Sequence, residues 1–543
     1  MVSGANIKYL LLAVLFAAAL GVRFMHMTGP LDGVAWRQAE TAYMTKRMAE
    51  ESPPDILHVK VPYRGTKDVH LAEFPVQPFL TALLYKLIGG ENLLFARMTT
   101  LLFFLGAAWY LFGIVELLID RRTALYTVIA YALLPLGIFY SRAVHVDFCV
   151  IFFSHAYLYY SLRFFQDRRW RFYVLAVAGA TGAFLMKAPY CFYLALPLGA
   201  WLVCMQKRPR RVMGDLCLAG LIFVIPLIAA YVYNEYRIAL EAGETESLIF
   251  HSKWTHDLAR NHFFGAWQQR LNGEAWYRLL YRAAWEVTTP IGLVLALVGL
   301  AVLPYRDRPR VAVYVWAWLV GVLAYVLLIF PIVTSEHDYY SLPLLVPASL
   351  LIGVLLARLE GDRGGGVRLG LSMAVMVVLM LASLDAMRRF RYFHVDWQRV
   401  LAGQVIREHT SPGELVLSVT LGRSTGYSDP RILYYADRRG WAIEARDLNE
   451  RKLERYREAG TAYAGLLVAP PSKPSSESFG VLKGYPHTVY EIEGPDRQRI
   501  GHMVLFDLEA EFGTRIDALK SRNVWLRGQS SGALGGSTAE VCL

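Results

Sequence analysis

About eleven apolar blocks punctuate the first 386 positions, at 7–26, 93–118, 123–140, 148–165, 172–186, 189–205, 214–233, 287–304, 311–331, 343–357 and 367–386. Most approach the ~20 residues that cross a bilayer. The fifth is short, and Lys187-Ala188-Pro189 breaks it from the sixth. Between the first two blocks, Glu40 to Ala49 and Val76 to Leu87 keep a helical pattern without the apolar length to span. That predicts helices lying flat at the membrane interface. Trp254, Trp267, Trp276 and Trp285, set among charges in 234–286, predict the same there. After Ala386 the pattern becomes that of a soluble domain. Helices are expected at 395–408, 430–437 and 449–458, and strands at 414–420, 464–469, 487–492 and 502–508. Alternating helix and strand predicts a small α/β layer domain over 387–527, followed by a Gly- and Ser-rich, disordered tail at 528–543.

Composition sharpens this picture. The chain is 55% hydrophobic and only 19% charged, against about a quarter charged in soluble domains. The expected class is a polytopic α-helical membrane protein with a small C-terminal α/β domain. The formal net charge of +11 does not mark a nucleic-acid partner, because the cations fall in short clusters between apolar blocks. Every second connection is basic: Arg121-Arg122, then Arg168-Arg169 with Arg171, then 207–211, then Arg306, Arg308 and Arg310, then Arg358, Arg363 and Arg368. Positive loops stay inside, so 27–92, 141–147, 234–286, 332–342 and 387–543 are expected outside. Arg388-Arg389 with Arg391 runs against this count. Four of the five cysteines lie in or beside apolar blocks, and no pair has metal-ligand spacing. His251, His256 and His262 share no helical face, so zinc is not expected there.

Candidate chemistry follows from which side the unusual polar residues occupy. Asp32, Arg37, Glu40, Glu73, Arg142, His145, Asp147, Lys187, Glu336, His337 and Asp338 all fall at outer helix ends or in outer loops, from five separate places in the chain. Loop ends are polar anyway, which would explain any one of them. Ionisable groups at membrane depth are costly, however, and a set of them marks a functional cavity. Acids beside Arg, Lys and His suit a phosphate-bearing ligand together with a proton transfer. The cations would hold the phosphate and one carboxylate would take a proton from an attacking hydroxyl. Loss of a sugar from phosphate resembles glycoside cleavage, with a leaving group good enough that a general acid is less necessary.

The run Asp32-Gly33-Val34-Ala35-Trp36-Arg37-Gln38-Ala39-Glu40-Thr41-Ala42 resembles the first outer-loop motif of bacterial GT-C glycosyltransferases, relatives of the protein O-mannosyltransferases and of the lipid A aminoarabinose transferase. Glu73-Phe74-Pro75 with Pro78, the run Ser141 to Asp147, Lys187-Ala188-Pro189, and the run His337 to Pro343 are similar to further motifs of that family, in the same order. The stretch Asp429 to Trp441 is similar to the outer domain of some members. The resemblance implies a transferase in a bacterial inner membrane, its site facing the periplasm, that moves one sugar from a polyprenyl-phosphate carrier to a glycan, lipid or protein acceptor. Asp32 would be the base, with Glu40 as its substitute because the Asp–Arg spacing departs from the aminoarabinose transferases. Glu73 would line the cavity and is the candidate ligand for a divalent metal. Arg37, Arg142 and Asp147 would frame the donor, and Lys187 and His337 would meet its phosphate. The rivals are a lipid-linked sugar flippase, for which two related halves are expected, a ligase using a diphosphate carrier, and a non-enzymatic receptor or scaffold working through the outer domain.

Overall fold

A computed structural model of the chain describes residues 4–59, 61, 73–205, 209–243, 260–261, 263–335, 337–361, 366–421, 429–470, 475, 479–496 and 498–510. Trp254, the three histidines at 251, 256 and 262, Glu336 and the expected disordered tail lie outside these residues. The chain forms two compact units, Met1–Asp396 and Trp397–Leu543.

The first unit is helical. After α1 (Gly4–Arg23) come two short helices in the first long connection, α2 (Ala35–Glu50) and α3 (Val76–Ile88). The bundle continues through α4 (Leu93–Leu118), α5 (Arg121–Leu133), α6 (Pro135–Tyr140), α7 (Asp147–Asp167), α8 (Trp170–Lys187), α9 (Pro189–Phe192), α10 (Ala195–Met205) and α11 (Pro209–Gly243). It closes with α12 (Gly273–Arg282), α13 (Thr289–Ala301), α14 (Pro309–Leu328), α15 (Phe330–Val333), α16 (Leu345–Glu360) and α17 (Gly366–Arg389). Among the described residues five helices are long and apolar enough to cross a membrane alone. A sixth span results if the bent pair α12–α13 counts as one.

Several helix ends are written in the sequence. Asn92 and Asp120 cap α4 and α5, their side chains accepting hydrogen bonds from the N–H groups of Leu94 and Thr123 at 3.0 and 2.8 Å. The expected span 123–140 is broken at Leu134, which is extended (ψ 137°) before Pro135 opens α6, because the residue before a proline avoids the helical region. Likewise 189–205 is two pieces, α9 and α10. Small residues let helices meet closely, as expected where lipid offers no hydrophobic drive. Gly353 on α16 lies so near Thr127 on α5 that a Cβ there would clash.

Residues 387–396, which the hydropathy pattern assigns to the soluble domain, belong with the helical unit. Tyr392 is buried there, its ring stacked on Phe139 at 4.8 Å.

The second unit opens with α18 (Trp397–His409) and continues as β1 (Leu415–Thr420), α19 (Arg431–Ala436), β2 (Arg439–Glu444), α20 (Glu450–Glu458), β3 (Thr461–Val468), β4 (His487–Glu493) and β5 (Arg499–Asp507). The sheet order is β2-β1-β3-β5-β4. β1 runs parallel to both neighbours, with Leu417 opposite Trp441 and Ala464, whereas β5 is antiparallel to β3 and β4. β2 is a strand the pattern did not predict. Five of its six residues are buried, so it lacks the polar–apolar alternation that marks a one-sided strand.

Candidate functional site

The connection after α1 is folded by one buried cation. Arg97, set in the apolar α4, donates to the carbonyls of His26, Met27, Gly29 and Pro30 at 2.7–2.9 Å. Arg97 also lies 3.7 Å from Asp32 Oδ1. Asp32 is fully buried, and Arg142 donates to its Oδ2 at 2.8 Å. Its backbone is fixed as well, because Gln38 donates to its carbonyl at 2.5 Å and Asp32 forms a β-bridge with Val395. The neighbouring Gly33 has φ +58°, and a Cβ there would lie 2.5 Å from the Phe139 ring and 2.6 Å from the Tyr392 carbonyl. Only glycine suits that combination of angle and space.

A second cluster gathers five charges from four segments. Arg37 on α2 pairs closely with both Glu40 and Glu73. Lys187, at the end of α8, donates to Asp147 Oδ1 at 2.8 Å and lies 3.8 Å from Glu73 Oε1. The imidazole of His145 is in close contact with the Asp147 carboxylate. Burial works against the charged form of Glu73, but Arg37 and then Lys187 outweigh it and hold its pKa below the ordinary carboxylate value. Burial pushes His145 down, against the pull of Asp147. The ammonium of Lys187 also faces the rings of Tyr339 and Tyr340, 4.6 and 4.8 Å from their centroids, a cation–π arrangement.

The two clusters are neighbours joined by one segment. Gln38 links them, since its side chain holds the Asp32 carbonyl and accepts a hydrogen bond from Val144 N–H at 3.0 Å. Arg142 on one side of Val144 serves Asp32, and on the other side Asp147 serves Lys187, with His145 against the same carboxylate. His337 lies against the rings of Tyr339 and Tyr340, at 5.4 and 6.4 Å. The segment after it is pinned from behind, with Tyr190 and Tyr325 donating to the carbonyls of Tyr339 and Tyr340 at 2.9 and 2.7 Å.

The arrangement can bind an anion where cations and aromatic faces meet, and it offers carboxylates as proton acceptors. It does not fit a metal as it stands. The carboxylate of Glu73 is engaged by two cations, and among the described residues no group of three or more His, Cys, Asp or Glu is placed to hold one. Arg97, Tyr140, Tyr190, Glu286, Tyr325 and Tyr392 escaped the sequence reading. A lone cation inside an apolar span is the signal that would have found Arg97. The tyrosines carry no such mark.

The sequence matches the family profile described as dolichyl-phosphate-mannose-protein mannosyltransferase over residues 72–233. No curated protein matches it. Among solved structures it is similar to ArnT from Cupriavidus metallidurans bound to undecaprenyl phosphate, with a TM-score of 0.59 at 14% identity, covering 91% of this chain and 97% of that one. It is also similar to the oligosaccharyltransferase AglB from Archaeoglobus fulgidus, in complex with an inhibitory peptide and a dolichol-phosphate. There the TM-score is 0.58 at 12% identity, over 92% of this chain and 74% of that one. The resemblance drawn from the motifs is borne out, and the fold is that of the GT-C membrane glycosyltransferases.

Proposed function

We propose that this chain is an integral-membrane glycosyltransferase that moves a single sugar from a polyprenyl-phosphate carrier to an acceptor hydroxyl at the outer face of the membrane, with inversion at the anomeric carbon. One observation carries the reading. In a fold whose relatives were solved with undecaprenyl phosphate and dolichol-phosphate, four distant segments bring Arg37, Glu40, Glu73, Asp147 and Lys187 into one buried cluster. Buried cations beside aromatic faces suit a lipid phosphate, and a buried carboxylate suits removal of a hydroxyl proton.

In this reading the chain crosses the membrane eleven times, and the unit from Trp397 stands on the outer side. Asp32 accepts the acceptor's proton, the freed oxygen attacks the anomeric carbon, and the carrier leaves as polyprenyl phosphate. Lys187, with Arg142 and His337, stabilises the departing charge, an electrostatic role that a dry site strengthens. Arg37 orients Glu40 and Glu73.

A second reading of the base has its own support. Asp32 is 0% exposed and sits between two arginines, whereas the Glu73 side chain is 17% exposed. A base must reach its substrate, and Glu73 is the more reachable carboxylate.

Purified protein in detergent, given a polyprenyl-phosphate sugar and an acceptor extract, tests both. Asp32→Asn is expected to lower transfer on the order of 10²-fold or more with donor binding kept, and Glu73→Gln to weaken donor binding. Full activity in Asp32→Asn with loss in Glu73→Gln moves the base to Glu73. Absence of any transferred sugar, with flipping of lipid-linked sugar in vesicles, makes the chain a transporter.

A further inference from the structure

A third buried cluster takes no part in the chemistry above. The helix pair α12–α13 is bent by 98° through a π-helical turn, Ala283–Val287, followed by Thr289 at φ +66°. A β-branched residue in that region is strained, and π turns with such strain gather at functional positions. The turn presents Glu286 to Tyr392, whose hydroxyl lies 3.3 Å from Glu286 Oε2 and 3.1 Å from Asp338 Oδ2. Tyr140 donates to the other oxygen, Asp338 Oδ1, at 2.5 Å.

The hydrogens can be counted. Tyr392 has one phenolic proton and faces two carboxylates, so it can donate to only one of them. The remaining contact is a hydrogen bond only if that carboxyl is itself protonated and donates to the tyrosine oxygen. Charge gives the same count. The nearby cation is Arg282, whose Nε is 3.8 Å from Glu286 Oε2 and whose Nη atoms are committed to the carbonyls of Val333 and Ser335. Two ionised acids would leave the cluster one charge negative, and one bound proton makes it neutral. Glu286 is the acid less supplied with donors, since Asp338 has Tyr140 as well. Among the described residues, the groups facing the pair are Tyr140, Tyr392, Arg282 and, at longer range, His145.

Tyr392 connects this cluster to the loop of Asp32. Its ring stacks on Phe139, its carbonyl meets Gly33, and the segment it opens holds the loop through Gly33 N–H to the His394 carbonyl at 2.9 Å and the Asp32–Val395 bridge. We propose that Glu286, Tyr392 and Asp338 form a proton-binding site, with the proton on Glu286, whose occupancy positions the Asp32 loop. Glu286 is a positioning residue, acting through Tyr392. The positioning half rests on the transferase reading; the proton half does not.

Infrared spectroscopy of the full-length protein tests the proton half. At neutral pH a protonated-carboxyl C=O band, shifted in D₂O, is expected in the wild type, lost in Glu286→Gln and moved in Tyr392→Phe. No band lost in Glu286→Gln, or a band unmoved in Tyr392→Phe, overturns the site. The pH profile of transfer tests the positioning half. Wild-type activity should fall on the alkaline side as Glu286 loses its proton. Glu286→Gln, whose amide keeps a donor toward Tyr392, should retain at least tenfold more of its own neutral-pH rate there than wild type does. Identical alkaline limbs overturn it. If the wild type transfers no sugar at any pH, the transferase reading fails while the infrared result still decides the proton site.

Discussion

Lys187 is the residue on which the second cluster balances. It is 5% exposed and serves Asp147 and Glu73 at once. Removing one partner of a buried pair leaves an uncompensated charge and costs about 3–5 kcal/mol. Lys187→Met is therefore expected to lower the melting temperature markedly, and adding Asp147→Asn to recover part of the loss, because the orphaned charge is then gone. A double mutant as unstable as the sum of the singles would show that the pair is not coupled. The charged members of this cluster were legible in the sequence, since acids and cations at the ends of apolar blocks stand out against their surroundings. Its aromatic members were legible in part. Tyr339 and Tyr340 fall in the motif run His337 to Pro343, but only the fold brings their rings to Lys187. Tyr190 and Tyr325 look like any tyrosines near a membrane interface, and only the fold brings their hydroxyls to backbone carbonyls. The position of Asp32 was also out of reach of pattern reading, because the arginines beside it come from 65 and 110 residues further along.

At the level of elements, the loop before α2 depends on a single backbone angle. Gly33→Ala puts a Cβ into a left-handed residue, 2.5 Å from Phe139. A cost on the order of 1–3 kcal/mol is expected, with transfer reduced further than melting alone explains, since Asp32 is the adjacent residue. Wild-type rates in Gly33→Ala would separate the loop from the chemistry. The second unit offers a pH-dependent case. Asp429 is buried before α19, where Arg399 and Arg431 donate to it at 2.8 and 2.6 Å. Burial opposes its ionised form, but Arg431 and Arg399 outweigh that and hold its pKa below the usual value. The stabilisation is thus fully present above about pH 4, the ordinary aspartate value, and is lost as pH falls through the depressed one. Hydrogen exchange in α19 should accelerate in Asp429→Asn at neutral pH, and the gap between variant and wild type should close on acidification. Helix positions were largely legible because apolar length and caps are local signals. The breaks at Leu134 and between α9 and α10 were missed because apolar length carries across them, and β2 because a strand covered on both faces has no alternation to read.

For the whole molecule, the ion pairs away from the site speak to topology independently of hydropathy. Lys8, at the start of α1, reaches Glu360 at the end of α16 at 2.6 Å, and Tyr126 and Arg122 at the start of α5 join the same carboxylate. Arg308, just before α14, pairs with Asp120 between α4 and α5 at 3.1 Å. Arg168, after α7, pairs with Asp215 early in α11. Each of these positions lies at a helix end that the positive-inside count assigns to the cytoplasm, and no pair among them joins opposite ends. Asp32, Arg142, Asp147, Lys187 and Asp338 lie at the other ends of the same helices. Arg388 and Arg389, which run against the charge count, both pair with Asp385, and that offsets part of their weight. Single cysteines at the exposed positions Arg121 and Arg308 should therefore react with an impermeant thiol reagent only after the inner face is opened. Cysteines at Glu274 and Arg278 on α12 should react in intact cells with a permeable outer membrane. Reversal of both sets would turn the protein over and put Asp32 in the cytoplasm, where an outer-face transfer has no meaning. Mixed labelling within one set would break the eleven-span count while leaving the ion-paired end, and the cluster opposite it, where they are.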